Sequence, residues 1–212
     1  MPKFCRVLLA MVFAIVVASH GVFAFDLDQV LTKDTKVVSV EGALAHFGSR
    51  LNNGLGYVQA WNLDARISLL PFGVTRSQFL GGMADGAVEV GLEPTFQRFN
   101  TVHQNFAGLG LDVRYYLVHS RRGRLVPWIN ASIAPGGTDL RIGSSVSETR
   151  LSGPFMNLIQ AGVGISYFVT ERSAVYAGLN AQHISNAGLN ASQDNFALDT
   201  PVGVVLGMSW YF

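Results

Sequence analysis

The chain has 212 residues, of which 49% are apolar and only 14% charged, with a formal net charge of +1. A soluble enzyme typically carries about 25% charged residues, and a near-neutral chain without a basic stripe interleaved with aromatics offers nothing to nucleic acid. Glycine is abundant, at 23 residues, and beyond residue 24 no apolar run approaches the roughly 20 residues a spanning helix needs. Two classes remain: a glycine-rich soluble β-protein and a transmembrane β-barrel.

The first 24 residues bear on the compartment. Lys3 and Arg6 form a positive start, Leu8 to Ala18 an apolar stretch, and Val22-Phe23-Ala24 a signal-peptidase site. We therefore expect a signal peptide over 1–24, cleaved after Ala24, and a mature barrel over 25–212. An uncleaved anchor is the alternative, but the apolar stretch is short for a span. The single cysteine, Cys5, lies within the predicted leader, so the mature chain has no disulfide or thiol chemistry. Residues 25–35 (FDLDQVLTKDT) are mixed and polar and read as a periplasmic lead-in.

Beyond the lead-in, the sequence alternates with period two. Tyr57, Trp61, Leu63, Ala65, Ile67 and Leu69 share one parity, with Gln59 the exception, while Asn62, Asp64, Arg66 and Ser68 share the other. The same holds for Ala107 to Leu117 and for Ile159 to Val169, with glycine or polar residues between the apolar ones. Such alternation sends apolar residues to one sheet face and polar ones to the other. Eight segments follow the pattern: 36–48, 57–71, 85–97, 106–118, 125–134, 156–169, 173–185 and 201–212. Their lengths suit tilted spans, which need about 9–11 residues. Asp64, Arg66, Glu89, Glu93, Asp112 and Arg114 all fall on the polar face.

A soluble sandwich would bury the apolar face, whereas a membrane barrel turns it to lipid and fills its interior with the polar one. Periodicity does not separate the two. The leader favours the barrel, and so does the ending Met208-Ser209-Trp210-Tyr211-Phe212, which resembles the aromatic terminus of bacterial outer-membrane proteins. A bare aromatic edge strand is a hazard that barrel closure removes. The expectation is an all-β, eight-stranded antiparallel transmembrane β-barrel of a Gram-negative outer membrane. Ile159, Val163, Leu109, Leu111, Leu179 and Leu206 should face lipid. With the N-terminus in the periplasm, the connections at 48–57, 98–105, 135–155 and 186–200 face outside. Eight strands enclose a lumen that side chains fill, so a conducting pore is not expected.

The seventh segment carries the candidate chemistry. Val175, Ala177, Leu179 and Ala181 form its apolar row, and His183 and Ser185 continue that row at the extracellular end. The pair lies about 7 Å apart by twice the strand rise, and a modest bulge would let the imidazole reach the hydroxyl. Histidine could then act as base while serine attacks an acyl carbonyl. A carboxylate would fix the imidazole, and Asp194 and Asp199 follow in the next connection. Asn186 and the backbone amide of Gly188 could hold an oxyanion. A lone His-x-Ser is common, however, and interfacial histidines often only reach for the headgroups. His46, His103 and His119 lie far apart and read as structural or solvated. No Cys/His cluster suggests a metal, and no cofactor is implied.

The stretch His183-Ile184-Ser185-Asn186-Ala187-Gly188-Leu189 resembles the His-x-Ser-Asn motif of the lipid A 3-O-deacylases, the PagL family. The likeness extends through 114–137 and 160–189 to the aromatic terminus. It implies an eight-stranded outer-membrane barrel that hydrolyses an ester-linked acyl chain of lipid A. It further implies His183 as base, Ser185 as nucleophile, and Asn186 with Gly188 as oxyanion hole. The family's acid is a glutamate at the start of the last strand, yet this chain has no glutamate after Glu171. Asp199 is the nearest substitute and Asp194 the second, each one methylene shorter than glutamate. The implied partner is lipid A or lipopolysaccharide among outer-membrane lipids, with the active site facing the outer leaflet. Arg50 and Arg98 fall in or beside outward loops, where they could meet lipid A phosphates. A homodimer is left open. The rival reading is a non-enzymatic barrel, either structural, adhesin-like or an inactive deacylase relative.

Overall fold

The computed structural model describes residues 25–49, 58–76, 85–100, 103–118, 123–139, 155–185 and 197–212. Eight long strands are present: β1 Lys36–Ser49, β2 Val58–Leu69, β4 Gly86–Phe99, β5 Gln104–Leu117, β6 Leu125–Thr138, β7 Phe155–Thr170, β8 Ser173–Ser185 and β9 Ala197–Tyr211. A two-residue strand, β3 Val74–Thr75, pairs with the start of β4. Each long strand runs antiparallel to the next, and β1 pairs with β9 as well as β2, so the sheet closes into a barrel.

The alternation in the sequence becomes the two sides of the barrel wall. Leu109, Leu111, Ile159, Val163 and Leu179 are exposed on the outside, whereas Asp112 and Arg114 are fully buried. A sandwich would reverse this order, so the choice left open by periodicity falls to the membrane barrel. The lumen is a packed ionic core. Arg66 meets Glu41 at 3.2 Å, Glu93 at 2.9 Å and Asp112 at 2.7 Å. Arg114 meets Glu41 at 3.3 Å and lies over the rings of Trp128 and Tyr176, at 4.3 and 4.6 Å. Tyr116 and Ser68 each donate to Glu89 at 2.5 Å, and Thr95 donates to Asp64. Glycines make room for the aromatics: a Cβ on Gly164 would collide with the indole of Trp128.

The segment 25–35 differs from the polar lead-in expected of it. Phe25, Leu27, Val30 and Leu31 are buried, and a short helix, α1 Leu27–Val30, starts at the cap Asp26, whose carboxylate accepts from the Asp28 amide at 3.0 Å. Phe25 packs on Phe168, which packs on Tyr211. The segment therefore corks the barrel end that also holds the 171–172 turn and the chain terminus. Its apolar residues are spaced as one face of a helical turn, which a search for alternation does not register. Gly73, at φ 65°, passes beneath the cork where a Cβ would strike the backbone of Lys33.

Strand boundaries shift in two informative places. β6 runs to Thr138 rather than 134, and β9 begins at Ala197 rather than 201. The second shift draws Asp199 out of the predicted loop and into the sheet. The end of the barrel opposite the cork, where β8 finishes and β9 begins, is called the loop end below.

Candidate functional site

His183 and Ser185 close β8 at the loop end. Both are partly exposed, while Gln182 and Ile184 between and beside them are buried. The row Leu179, Ala181, His183, Ser185 thus lies on the outer wall, two polar side chains continuing an apolar stripe. Pairing with β7 is unbroken here: Ile159 is the partner of His183 and Asn157 the partner of Ser185. The bulge expected between histidine and serine is therefore absent from the β7 side.

The irregularity lies in β9. Asn180 pairs with Gly203, but Gln182 pairs with Thr200, so β9 holds one residue more than β8 across this interval. The partner on the other side agrees, since Ala45 pairs with Gly203 and Gly48 with Asp199. An extra residue reverses which side of the pleat the following residues occupy. Val202 and Val204 are exposed on the outer wall and Gly203 is buried. Without the bulge Thr200 would continue the outer row; with it, Asp199 is the direct partner of His183. On its other flank Asp199 meets Gly48, which has no side chain to crowd the position.

Directly paired antiparallel residues share a face at about 5 Å between Cβ atoms. The outer wall at the loop end therefore brings His183, Ser185 and the position of Asp199 together, bordered by Ile159 and Asn157. Asn157 did not emerge from the sequence reading. The signal is present, because Asn157 interrupts the row Phe155, Ile159, Ala161, Val163. Asn186, Gly188 and Asp194 lie outside the described residues, as do His119 and Arg50. His103 is exposed in a turn at φ 55°, and Arg98 donates to Asn105 at 2.8 Å. Among the described residues no His/Cys/Asp/Glu group of metal-binding size occurs.

One row closer to the cork, the outer wall is hollowed. Ala161 pairs with Ala181, and these small side chains lie among Ile129, Val163, Leu179 and Val202. The result is a shallow, mostly apolar groove of about 420 Å³. Ala181 belongs both to the groove and to the row that ends in His183 and Ser185.

The family model for the lipid A 3-O-deacylases (PagL) matches residues 97–209, more than half of the chain. This chain belongs to the PagL family. The matched span covers β5 to β8 whole, with the end of β4 and all but the last residues of β9, and so includes every described residue of the candidate site. This PagL-family barrel is similar in fold to the outer membrane enzyme PagL, with a TM-score of 0.55, 15% identity, and coverage of 80% of this chain and 97% of that one. It is equally similar to Neisserial surface protein A, with a TM-score of 0.55, 14% identity, and coverage of 84% and 97%. No curated protein sequence matches the chain.

Proposed function

We propose that this barrel is a lipid A 3-O-deacylase working by serine-type ester hydrolysis at the outer leaflet of the outer membrane. The observation that carries the reading is the lipid-facing histidine and serine beside a paired aspartate position, next to an apolar groove. Polar groups within the lipid-facing wall of a membrane barrel are costly, and these lie on the outer side of that wall.

Lipid A would reach the site by lateral diffusion, with acyl chains lying against the outer wall and the groove. His183 takes the proton of Ser185 as its oxygen attacks the ester carbonyl. The oxyanion would be held by Asn186 and the Gly188 amide. The carbon–oxygen bond to the sugar then breaks, and the leaving alkoxide takes the proton from His183. Water, activated by the same imidazole, attacks the acyl-enzyme and releases a 3-hydroxy fatty acid. Asp199 serves as the acid that orients His183 and steadies its charged form. In the same reading residues 1–24 are a leader removed after Ala24, which N-terminal sequencing of the outer-membrane protein checks.

Mass spectrometry of lipid A from cells expressing the protein tests the activity. The expected result is loss of one hydroxyacyl chain in the wild type and intact lipid A with Ser185→Ala. The second reading is a non-enzymatic surface barrel, favoured by the equal likeness to Neisserial surface protein A. It prevails if purified wild type leaves lipid A unchanged in detergent.

A further inference from the structure

We infer that the bulge at Pro201 is a positioning device for the reaction: it sets the frame in which Asp199, and not Thr200, is presented to His183. The inference rests on the deacylase reading, but the frame itself is a property of the backbone. Two neighbours record it independently. Across β8, Asn180 to Gln182 spans two steps while Gly203 to Thr200 spans three. Across β1, Ala45 to Gly48 spans three while Gly203 to Asp199 spans four. Each count gives one surplus residue in β9, between Thr200 and Gly203.

Pro201 lies within that interval. Its nitrogen carries no hydrogen, so the ladder loses little by bulging there. Proline alone does not impose a bulge, since Pro94, Pro127 and Pro135 all pair in register. What distinguishes Pro201 is that both flanking strands shift beside it, one residue-pair away from the row of His183. The surplus residue sends the pleat of 197–200 over to the opposite parity from that of 202–210. Carried through without it, Thr200 would stand across from His183, and Asp199 would take the parity of Gln182, a lumen position with 3% exposure. A one-residue feature thus decides whether the strand offers the imidazole an acid or a hydroxyl. The bulge is a positioning feature of the backbone, acting through Asp199 and touching no reacting atom.

Two sets of variants test the frame. The first reads geometry without activity. The only native cysteine lies in the predicted leader, so paired cysteines report cleanly. His183→Cys with Asp199→Cys should oxidise to a disulfide in the folded barrel, because directly paired strand residues meet the Cα separation a disulfide needs. His183→Cys with Thr200→Cys should not. The opposite pattern overturns the inferred frame whatever the activity. The second reads catalysis on purified lipid A. Exchanging the two residues (Asp199→Thr with Thr200→Asp) should lower kcat at least 100-fold with little change in KM, and wild-type turnover in this variant overturns the inference. Inserting one alanine between Thr200 and Pro201 should lower kcat similarly, and adding Thr200→Asp to the insertion should restore it, since the new aspartate then stands across from His183. Loss without rescue in a barrel that still shows heat-modifiable mobility overturns the positioning role. A correct cross-link in the His183→Cys/Asp199→Cys variant, together with a wild type that never deacylates, would overturn the deacylase reading and leave the frame standing.

Discussion

The barrel carries polar side chains in two places, and they are organised in opposite ways. Inside, Arg66, Arg114, Glu41, Glu89, Glu93 and Asp112 are interlinked by ion pairs and hydroxyl donors and shut away from solvent. Outside, at the loop end, His183, Ser185 and Asn157 stand partly exposed at the end of an apolar stripe. The inner set is shared around one guanidinium: Arg66 meets three carboxylates, so its removal strips buried charges of a partner. The outer set is sparse and turned toward whatever approaches from the membrane. Abundance of buried charge therefore marks the structural region, and polarity set beside an apolar groove marks the candidate chemical one.

Ser185→Ala should produce the largest separation between the two regions. On the order of 10⁶-fold of the deacylation rate disappears when a triad nucleophile is removed, while urea unfolding in detergent stays at the wild-type midpoint. The double variant with His183→Asn should be no slower than either single one, since such residues act as a unit. Asp199→Asn should cost about 10⁴-fold and leave a measurable residue of activity, as loss of an orienting acid does. Single-turnover release of hydroxy fatty acid reads both. Arg66→Met attacks the inner region: with three carboxylates within ion-pair distance of one guanidinium, it should lower stability by about 3–5 kcal/mol. Turnover per folded molecule should hold. A fall in turnover without a fall in stability would erase the division between inside and outside. Asn157→Ala should have the smallest effect, about tenfold in kcat, the scale of one hydrogen bond, with no change in unfolding. If it is silent, Asn157 belongs only to the wall.

The sequence made the wall legible because a barrel strand alternates strictly, and residues such as Leu109, Asp112, Leu179 and Gln182 kept their parity in the structure. It also gave His183 and Ser185 their outward side, since both lie on the regular part of β8. The start of β9 was illegible for a physical reason. Ala197-Leu198-Asp199-Thr200-Pro201 does not alternate, and its pleat is displaced by the bulge, so parity counted back from Val202 selects Thr200. Bulges are set by pairing with neighbours, which a single strand's pattern does not contain. The cork escapes for a related reason: Leu27, Val30 and Leu31 have the spacing of a single helical turn, too short to stand out beside strands that alternate.

The seam of the barrel joins its first strand to its last. Lys36 and Phe212 exchange backbone hydrogen bonds at 3.1 and 2.9 Å, and the hydroxyls of Ser39 and Ser209 meet at 2.8 Å across a separation of 170 residues. Contacts so distant in sequence demand that a long loop be closed before they return anything, and they form late. His183 and its partners Ile159 and Asp199, by contrast, belong to neighbouring hairpins β7–β8 and β8–β9. Their register can be established while β1 and β9 are still apart. The chain thereby separates two clocks: the candidate site depends on quick local pairing, while the sealed wall that supports it depends on a slow encounter between the chain's extremes. A lesion at the seam would accumulate open barrels in which the three strands are already aligned but have no closed cylinder behind them.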